Sequence, residues 1–250
     1  MRAGEADVLS LLDAEGSFGT YAELFPAATE AEWTPWRERC PDLFEGDHWR
    51  VPFRSFLIRS GSSTVLVDTC IGPAGEGEFL PEHQGWLLDK LAQAGVAPAE
   101  IDTVFLTHVH VDHVGWNSVF DGARFVTHRA SVALSAERGR PLPEGTEALD
   151  GDAELAPGVV AFETPGHLAG HMSVRVGDDL VLLGDVAVHP AQLARPGLAY
   201  AFDDDPARST STREAVLAAY GDRILACGHF PGTGFGRLAD GVWAPVTPGG

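Results

Sequence analysis

The chain has 250 residues, 44% of them hydrophobic, and a formal net charge of −19. A surface that acidic repels nucleic-acid phosphates and anionic membranes, which argues against both as partners and for a small-molecule substrate. No apolar run approaches the roughly 20 residues of a membrane helix, and the three cysteines, Cys40, Cys70 and Cys227, are too scattered for a disulfide framework or a zinc ribbon.

The N-terminus carries Glu5 and Asp7 where a signal peptide would be basic and then apolar, so a mature cytoplasmic start is expected. Residues 1–50 read as an N-terminal strand followed by a segment rich in aromatics (Phe25, Trp33, Trp36, Phe44, Trp49) with little periodicity, suited to capping a core. Residues 55–60 and 64–69 alternate as a strand pair around the Gly61-Ser62-Ser63 turn. Leu87, Leu88 and Leu91 share one face of a helix over 85–95 that Gly95 would stop. Strands follow at 102–107 and 123–127, with a helix from about Ser131 and a Pro-, Gly- and acid-rich loop over 136–157. Three more strands are expected at 159–164, 171–177 and 179–185, a helix opening on Pro206 over 206–220, and a last strand at 223–228. Mixed strands and helices without long linkers predict a single α/β domain over 1–250.

The chemistry sits where these strands end. The stretch THVHVDHVGWN (107–117) brings His108, His110, Asp112 and His113 into six positions. His108 and His110 are two residues apart, so in extended backbone both side chains leave one face and can share an ion. Asp112 and His113 follow where the chain turns into a helix and can face a second ion. Imidazole and carboxylate donors suit zinc, and also iron or manganese. His167 in TPGH, Asp185 at the end of LVLLGD and His229 in ACGHF occupy similar strand-end positions. His171 and His189 lie close to these in sequence and are suited to supporting ligands through hydrogen bonds.

The order of VDT at Asp68, HVHVDH, TPGH, GD and the final GH resembles the metallo-β-lactamase-fold hydrolase superfamily, over about residues 52 to 240. The resemblance implies an αββα sandwich, two mixed sheets flanked by helices, with two divalent ions at one edge. It implies that His108, His110 and His167 bind one ion, that Asp112, His113 and His229 bind the other, and that Asp185 bridges them. Asp68 would orient a ligand histidine. Zinc is the first expectation for the metal. GDVAVHPAQL and HFPGTGFGRL look like the branch of methyl parathion hydrolase and quorum-quenching lactonases. Two departures stand out. Cys70 occupies the place of the usual glycine after VDT, and no tyrosine follows Asp185 closely.

The implied activity is that of a dinuclear hydrolase in which a metal-bridging hydroxide attacks the carbonyl of a small neutral ester or lactone, with Asp112 as proton carrier. Hydrolysis of a thioester, β-lactam or phosphotriester, or an iron-binding redox role, are the alternatives on the same residues. A homodimer is compatible with this reading.

Overall fold

The structure is a computed structural model that describes residues 1–74, 80, 83 and 85–246. In chain order, β1 (Arg2–Ala3) and β2 (Ala6–Gly16) lead to two helices, α1 (Tyr21–Leu24) and α2 (Glu30–Arg39), and a short ribbon, β3 (Phe44–Glu45) and β4 (His48–Trp49). The hairpin β5 (Val51–Ser60) and β6 (Ser63–Val67) follows, then α3 (Leu87–Gln93), β7 (Thr103–Phe105), α4 (Val111–Val114), β8 (Arg124–His128) and α5 (Arg129–Glu137). Next come β9 (Glu147–Leu149), β10 (Ala153–Ala156), β11 (Val159–Glu163), β12 (Met172–Val176) and β13 (Leu180–Leu182). The chain closes with α6 (Ala191–Ala194), α7 (Pro206–Tyr220), β14 (Ile224–Ala226), β15 (Phe235–Ala239) and β16 (Val242–Pro245).

The strands form two seven-stranded sheets, ordered β1-β2-β5-β6-β7-β8-β9 and β10-β11-β12-β13-β14-β15-β16. Period-two alternation explains the layers. Val65 and Val67 point between the sheets, where Phe56, Phe105, Val174 and Leu180 meet them. Leu66 points the other way, onto Leu87 and Leu91 of α3. In the second sheet Leu180 and Leu182 face inward, while Val181 faces Val216 of α7. Strands apolar on both faces need cover on both, so each sheet carries helices outside and its partner inside. This is the expected αββα sandwich.

Several elements differ from expectation. The stretch 136–157 contains β9 and β10, the edge strands of the two sheets. Its acidic residues stay outside, as edge strands require, while Leu149 and Leu155 anchor it between the sheets. The aperiodic aromatic segment contains α2, with Pro35 inside it. Its start is fixed by Glu32, whose carboxylate accepts from the Thr29 backbone N–H (2.7 Å) and hydroxyl (2.9 Å). The sequence also hid β15 and β16. No described helix is long and apolar enough to cross a membrane.

β6, β7, β8 and β9 run parallel to one another, as do β13 and β14. The turns after β6, β7, β13 and β14 carry Asp68, His108, Asp185 and His229. Parallel strands gather such turns on one side of an α/β layer, which is where a site can be assembled from distant residues.

Candidate metal centre

Backbone geometry sets the first group of side chains. β7 ends at Phe105, two residues earlier than expected, and the chain runs on to His110, the N-terminal flanking residue of α4, which is itself extended (φ −71°, ψ 155°). The turn behind it needs glycine. A Cβ on Gly115 would lie 1.9 Å from the Ile71 carbonyl oxygen. That close approach lets Gly115 N–H donate to Cys70 O (2.7 Å) and Trp116 N–H to Thr69 O (3.1 Å), clamping the His113 turn to the loop that carries Asp68. A Cβ on Gly184 (φ +55°) would meet His171 Nε2 at 2.7 Å.

Seven side chains converge in two groups: His108, His110, His167 and Asp185, and Asp112, His113 and His229. In each group the candidate ligand atoms lie within 4.8 Å of one another. Asp185 faces both. Its Oδ2 is 3.3 Å from His167 Nε2 and 3.8 Å from His108 Nε2. Its Oδ1 is 3.4 Å from His229 Nε2 and 3.6 Å from His113 Nε2. In the first group, His110 Nδ1 is 3.1 Å from His108 Nε2 and 3.0 Å from His167 Nε2. In the second, Asp112 Oδ2 is 3.7 Å from His113 Nε2 and 3.6 Å from His229 Nε2.

These residues fit a pair of cations. His113 Nε2 and Asp185 Oδ1 are buried and have no hydrogen-bond partner. At 3.6 Å they are too far apart to satisfy each other. Unpaired polar atoms aimed at one another across such a gap are costly unless a cation lies between them. Charge supports the same conclusion. Burial and the neighbouring His113 hold His108 neutral, well below the usual imidazole range, and burial takes His110 down to about 4. Neutral imidazole is the ligand form. Burial also opposes charge on His113, but Asp185, Asp68 and Asp112 outweigh it and draw a proton toward that ring. His229 behaves likewise beside Asp185. A cation bound there would take the proton's place.

The far sides of the rings are held in turn. His113 Nδ1 lies 2.8 Å from Asp68, whose carboxylate also accepts from Thr107 N–H (2.7 Å) and Thr107 Oγ1 (2.8 Å). Asp68 adopts a left-handed backbone (φ +61°), and so does Cys70 (φ +50°). Cys70 is buried, with Sγ 3.0 Å from Ser55 Oγ, and burial pushes its thiol well above the usual range. His229 Nδ1 lies 2.9 Å from Pro52 O. His171 accepts the Asp185 backbone N–H through Nε2 (2.8 Å) and contacts Thr164 through Nδ1, so it steadies the backbone of Asp185.

His189 is not brought to this cluster. Its ring packs edge-on among Tyr21, Trp33, Trp36 and Trp49 at 5.2–5.8 Å between centroids. Burial lowers it to about 3. It ties the aromatic N-terminal segment to the 186–200 loop, and those tryptophans are spent on that packing.

Four residues escaped the sequence. Asp203, inside a run of three acids before α7, reaches His167 Nδ1 at 3.0 Å. Arg213 of α7 is buried, donates to Val186 O (2.7 Å) and to Pro196 O, and sits 3.8 Å from Asp203. Asp13 is turned inward where the β2–β5 register shifts between Leu12 and Ala14. It accepts from Leu87 N–H (2.9 Å), Ile71 N–H (3.1 Å) and Trp116 Nε1–H (2.9 Å). Tyr200 stacks on His167 at 6.1 Å and faces a cavity of about 180 Å³ that His110, Asp112, His167 and Asp185 also line. Burial, with Asp112 and Asp185 nearby, raises the Tyr200 phenol well above its ordinary value. Phe18 and Phe202 supply aromatic wall to this cavity.

Comparison with known proteins agrees with this geometry. An N-acyl homoserine lactonase from Bacillus cereus is 26% identical over 211 residues, 75% of this chain and 84% of that protein. Similar lactonases from other Bacillus sources match over 61–62% of their own length. Metallo-beta-lactamase domain-containing protein 1 of Homo sapiens is 32% identical over 177 residues, 68% of this chain and 63% of that protein. The solved structure of AidC, a dizinc quorum-quenching lactonase in complex with a product, superposes with a TM-score of 0.81 at 19% identity, covering 99% of this chain and 96% of that one. The family model of the metallo-beta-lactamase superfamily matches residues 54–229, which hold every member of the two ligand groups, and the chain belongs to that superfamily.

Proposed function

We propose that this chain is a hydrolase that holds two divalent ions, zinc first among them, and cleaves a small ester or lactone that is neutral at the scissile group. The observation that carries this reading is the Asp185 carboxylate, which presents one oxygen to each ligand group at the floor of a largely apolar cavity. His108, His110 and His167 would hold one ion with Asp185. Asp112, His113 and His229 would hold the other with it. When bound, such a pair supplies Lewis acidity toward a carbonyl oxygen and acidifies water into the neutral range.

The chain's own residues do the rest. Asp68 keeps the Nδ1–H of His113 engaged, so its Nε2 lone pair faces the centre. Asp203 does the same for His167. Asp112 borders the cavity and carries the proton. Water oxygen bonds to the acyl carbon, the carbon–oxygen bond to the alkoxide breaks, and the proton passes through Asp112 to the leaving oxygen. The products are a carboxylic acid and an alcohol, or one hydroxy acid from a lactone. Tyr200, which lines the cavity and keeps its proton, would donate a hydrogen bond to the carbonyl oxygen. It supplies a phenol that the residues directly after Asp185 lack.

The test is metal analysis of protein purified without added metal, together with kcat/KM on an aliphatic lactone series, an aryl ester, a phosphotriester, a β-lactam and an acyl thioester. About two ions per chain and highest efficiency on lactones or esters are expected. A β-lactam or thioester preferred by tenfold or more, about 1.4 kcal/mol in transition-state binding, overturns the substrate assignment.

A further inference from the structure

His229 differs from its neighbours in what stands behind its ring. His113 and His167 each rest on a carboxylate, Asp68 and Asp203. His229 rests on a neutral acceptor, the Pro52 carbonyl, which takes its Nδ1–H at 2.9 Å. That contact joins two distant parts of the chain, β5 and the turn after β14, and lasts only while the two keep their spacing. The turn is poorly equipped to keep it alone. Its sequence, GHFPGTG (228–234), holds three glycines, and glycine has the most backbone freedom to lose. Around Gly232 (φ +63°) no atom lies within 4 Å of where a Cβ would stand.

Arg54 supplies the fastening. It sits in β5 opposite Leu12 of β2 and is 8% exposed. Its Nη1 donates to Gly228 O (3.2 Å) and Phe230 O (2.9 Å), and its Nη2 to Gly232 O (2.6 Å). Three carbonyls of one turn therefore close on one guanidinium, on both sides of His229. The turn backbone also rests directly on β5, since a Cβ on Gly228 would lie 2.8 Å from Arg54 O. Arg54 makes no ion pair among the described residues. Glu15, which borders the same cavity, is paired with Arg50 at 3.0 Å. A guanidinium buried without a counter-ion is costly, and burial draws Arg54 down to about 10. An apolar side chain would fill the place without that cost but would leave the three carbonyls unmatched.

We propose that Arg54 is a positioning residue for His229: its guanidinium fixes the 228–232 turn on β5, which keeps the Nδ1–H on the Pro52 carbonyl and turns Nε2 toward Asp112 and Asp185. The consequence for metal binding rests on the two-ion reading above, whereas the orientation of the ring does not. The planar fork of arginine suits this task, because its donors point in fixed directions that a lysine ammonium cannot reproduce. Charge and geometry predict opposite signs. Removing a cation near a bound dication would by itself tighten metal binding, so weaker binding in Arg54→Met reports the lost geometry.

Two readouts on the full chain test this. The first needs no metal. In metal-free protein the His229 Nδ1–H should give a slowly exchanging proton signal by NMR, assigned by its absence in His229→Ala. Arg54→Met should lose it, and Arg54→Lys should retain more of it. The second is cobalt(II) affinity by titration. In the His110→Ala background, which leaves Asp112, His113 and His229 in place, Arg54→Met should weaken cobalt binding by about 10–100-fold, as expected for a partner that holds a ligand. Arg54→Lys should weaken it less. In the His229→Ala background the same substitutions should change affinity by less than about twofold, because the coupling vanishes with its partner. Val65→Ala, in the core between the sheets, controls for lost stability and should leave both readouts unchanged. If Arg54→Met does not fold, Arg54→Lys carries both comparisons. An Nδ1–H signal absent from the wild type or indifferent to Arg54, cobalt bound as tightly or more tightly in Arg54→Met, or an equal loss in the His229→Ala background overturns the assignment. If cobalt does not bind but the Nδ1–H signal still depends on Arg54, the two-ion reading fails alone. If cobalt binds and neither readout responds to Arg54, the positioning role fails alone.

Discussion

Asp203 offers a sharp test of how the ligand groups are held. Asp203→Asn keeps the shape and an acceptor for His167 Nδ1 (3.0 Å) but removes the charge. Two consequences follow. A carboxylate behind a ligand imidazole orients it and raises its basicity, and losing such a partner typically lowers metal affinity by about 10–100-fold. The loss should fall on the ion held by His108, His110 and His167, and should spare the one held by Asp112, His113 and His229. The second consequence is stability. Arg213 is buried with Asp203 at 3.8 Å, and burial has already lowered it to about 10. Removing one partner of a buried pair costs about 3–5 kcal/mol. The lower end applies, because the separation is long and Arg213 keeps its carbonyl acceptors. For a domain of this size about 3 kcal/mol corresponds to a drop in Tm of about 6–12 °C. Chelator competition followed in time resolves the two ions, and melting gives the stability. Pairing Asp203→Leu with Arg213→Met should recover most of the Tm without recovering metal affinity, since a buried ion pair replaced by apolar side chains loses no stability by necessity. Metal release unchanged within about twofold, far below the expected range, would make Asp203 merely the counter-ion of Arg213. Equal weakening of both ions would refute the local argument.

Asp185→Asn should reduce the metal content from about two ions per chain toward one, with turnover falling in parallel, and undiminished metal and activity on elemental analysis would count against a bridging role. Asp112→Ala should lose turnover by about 10²–10⁴-fold while losing metal by a smaller factor. Proportional losses measured on one preparation would make it a ligand only. Cys70→Gly should keep its metal and most of its activity. Relief of a left-handed non-glycine backbone, about 1–2 kcal/mol, offsets the lost packing and the Ser55 contact, so melting should shift little. A collapse in turnover with the fold intact would show that the thiol takes part.

The sequence by itself determined most of the candidate ligand set, and its motifs carried the family resemblance that implied the layer order. His108, His110, Asp112 and His113 are neighbours along the chain, so local backbone alone places them together. The strands around Val65 and Leu180 are apolar on both faces, which demands cover from a second sheet and from helices. Tertiary structure decided which groups stand behind the candidate ligands. Asp203 is 36 residues from His167, and nothing in a run of three acids before a helix distinguishes the one that turns inward. Asp13 enters the core because β2 slips register against β5, an event set by pairing across the sheet. His189 lies four residues beyond Asp185, yet the chain carries its ring away into a cage of aromatics from the first 50 residues. Proximity along the chain predicts contact only over a turn or two. Beyond that, the side a residue faces depends on what packs against it, and only the assembled sheets and helices supply those neighbours.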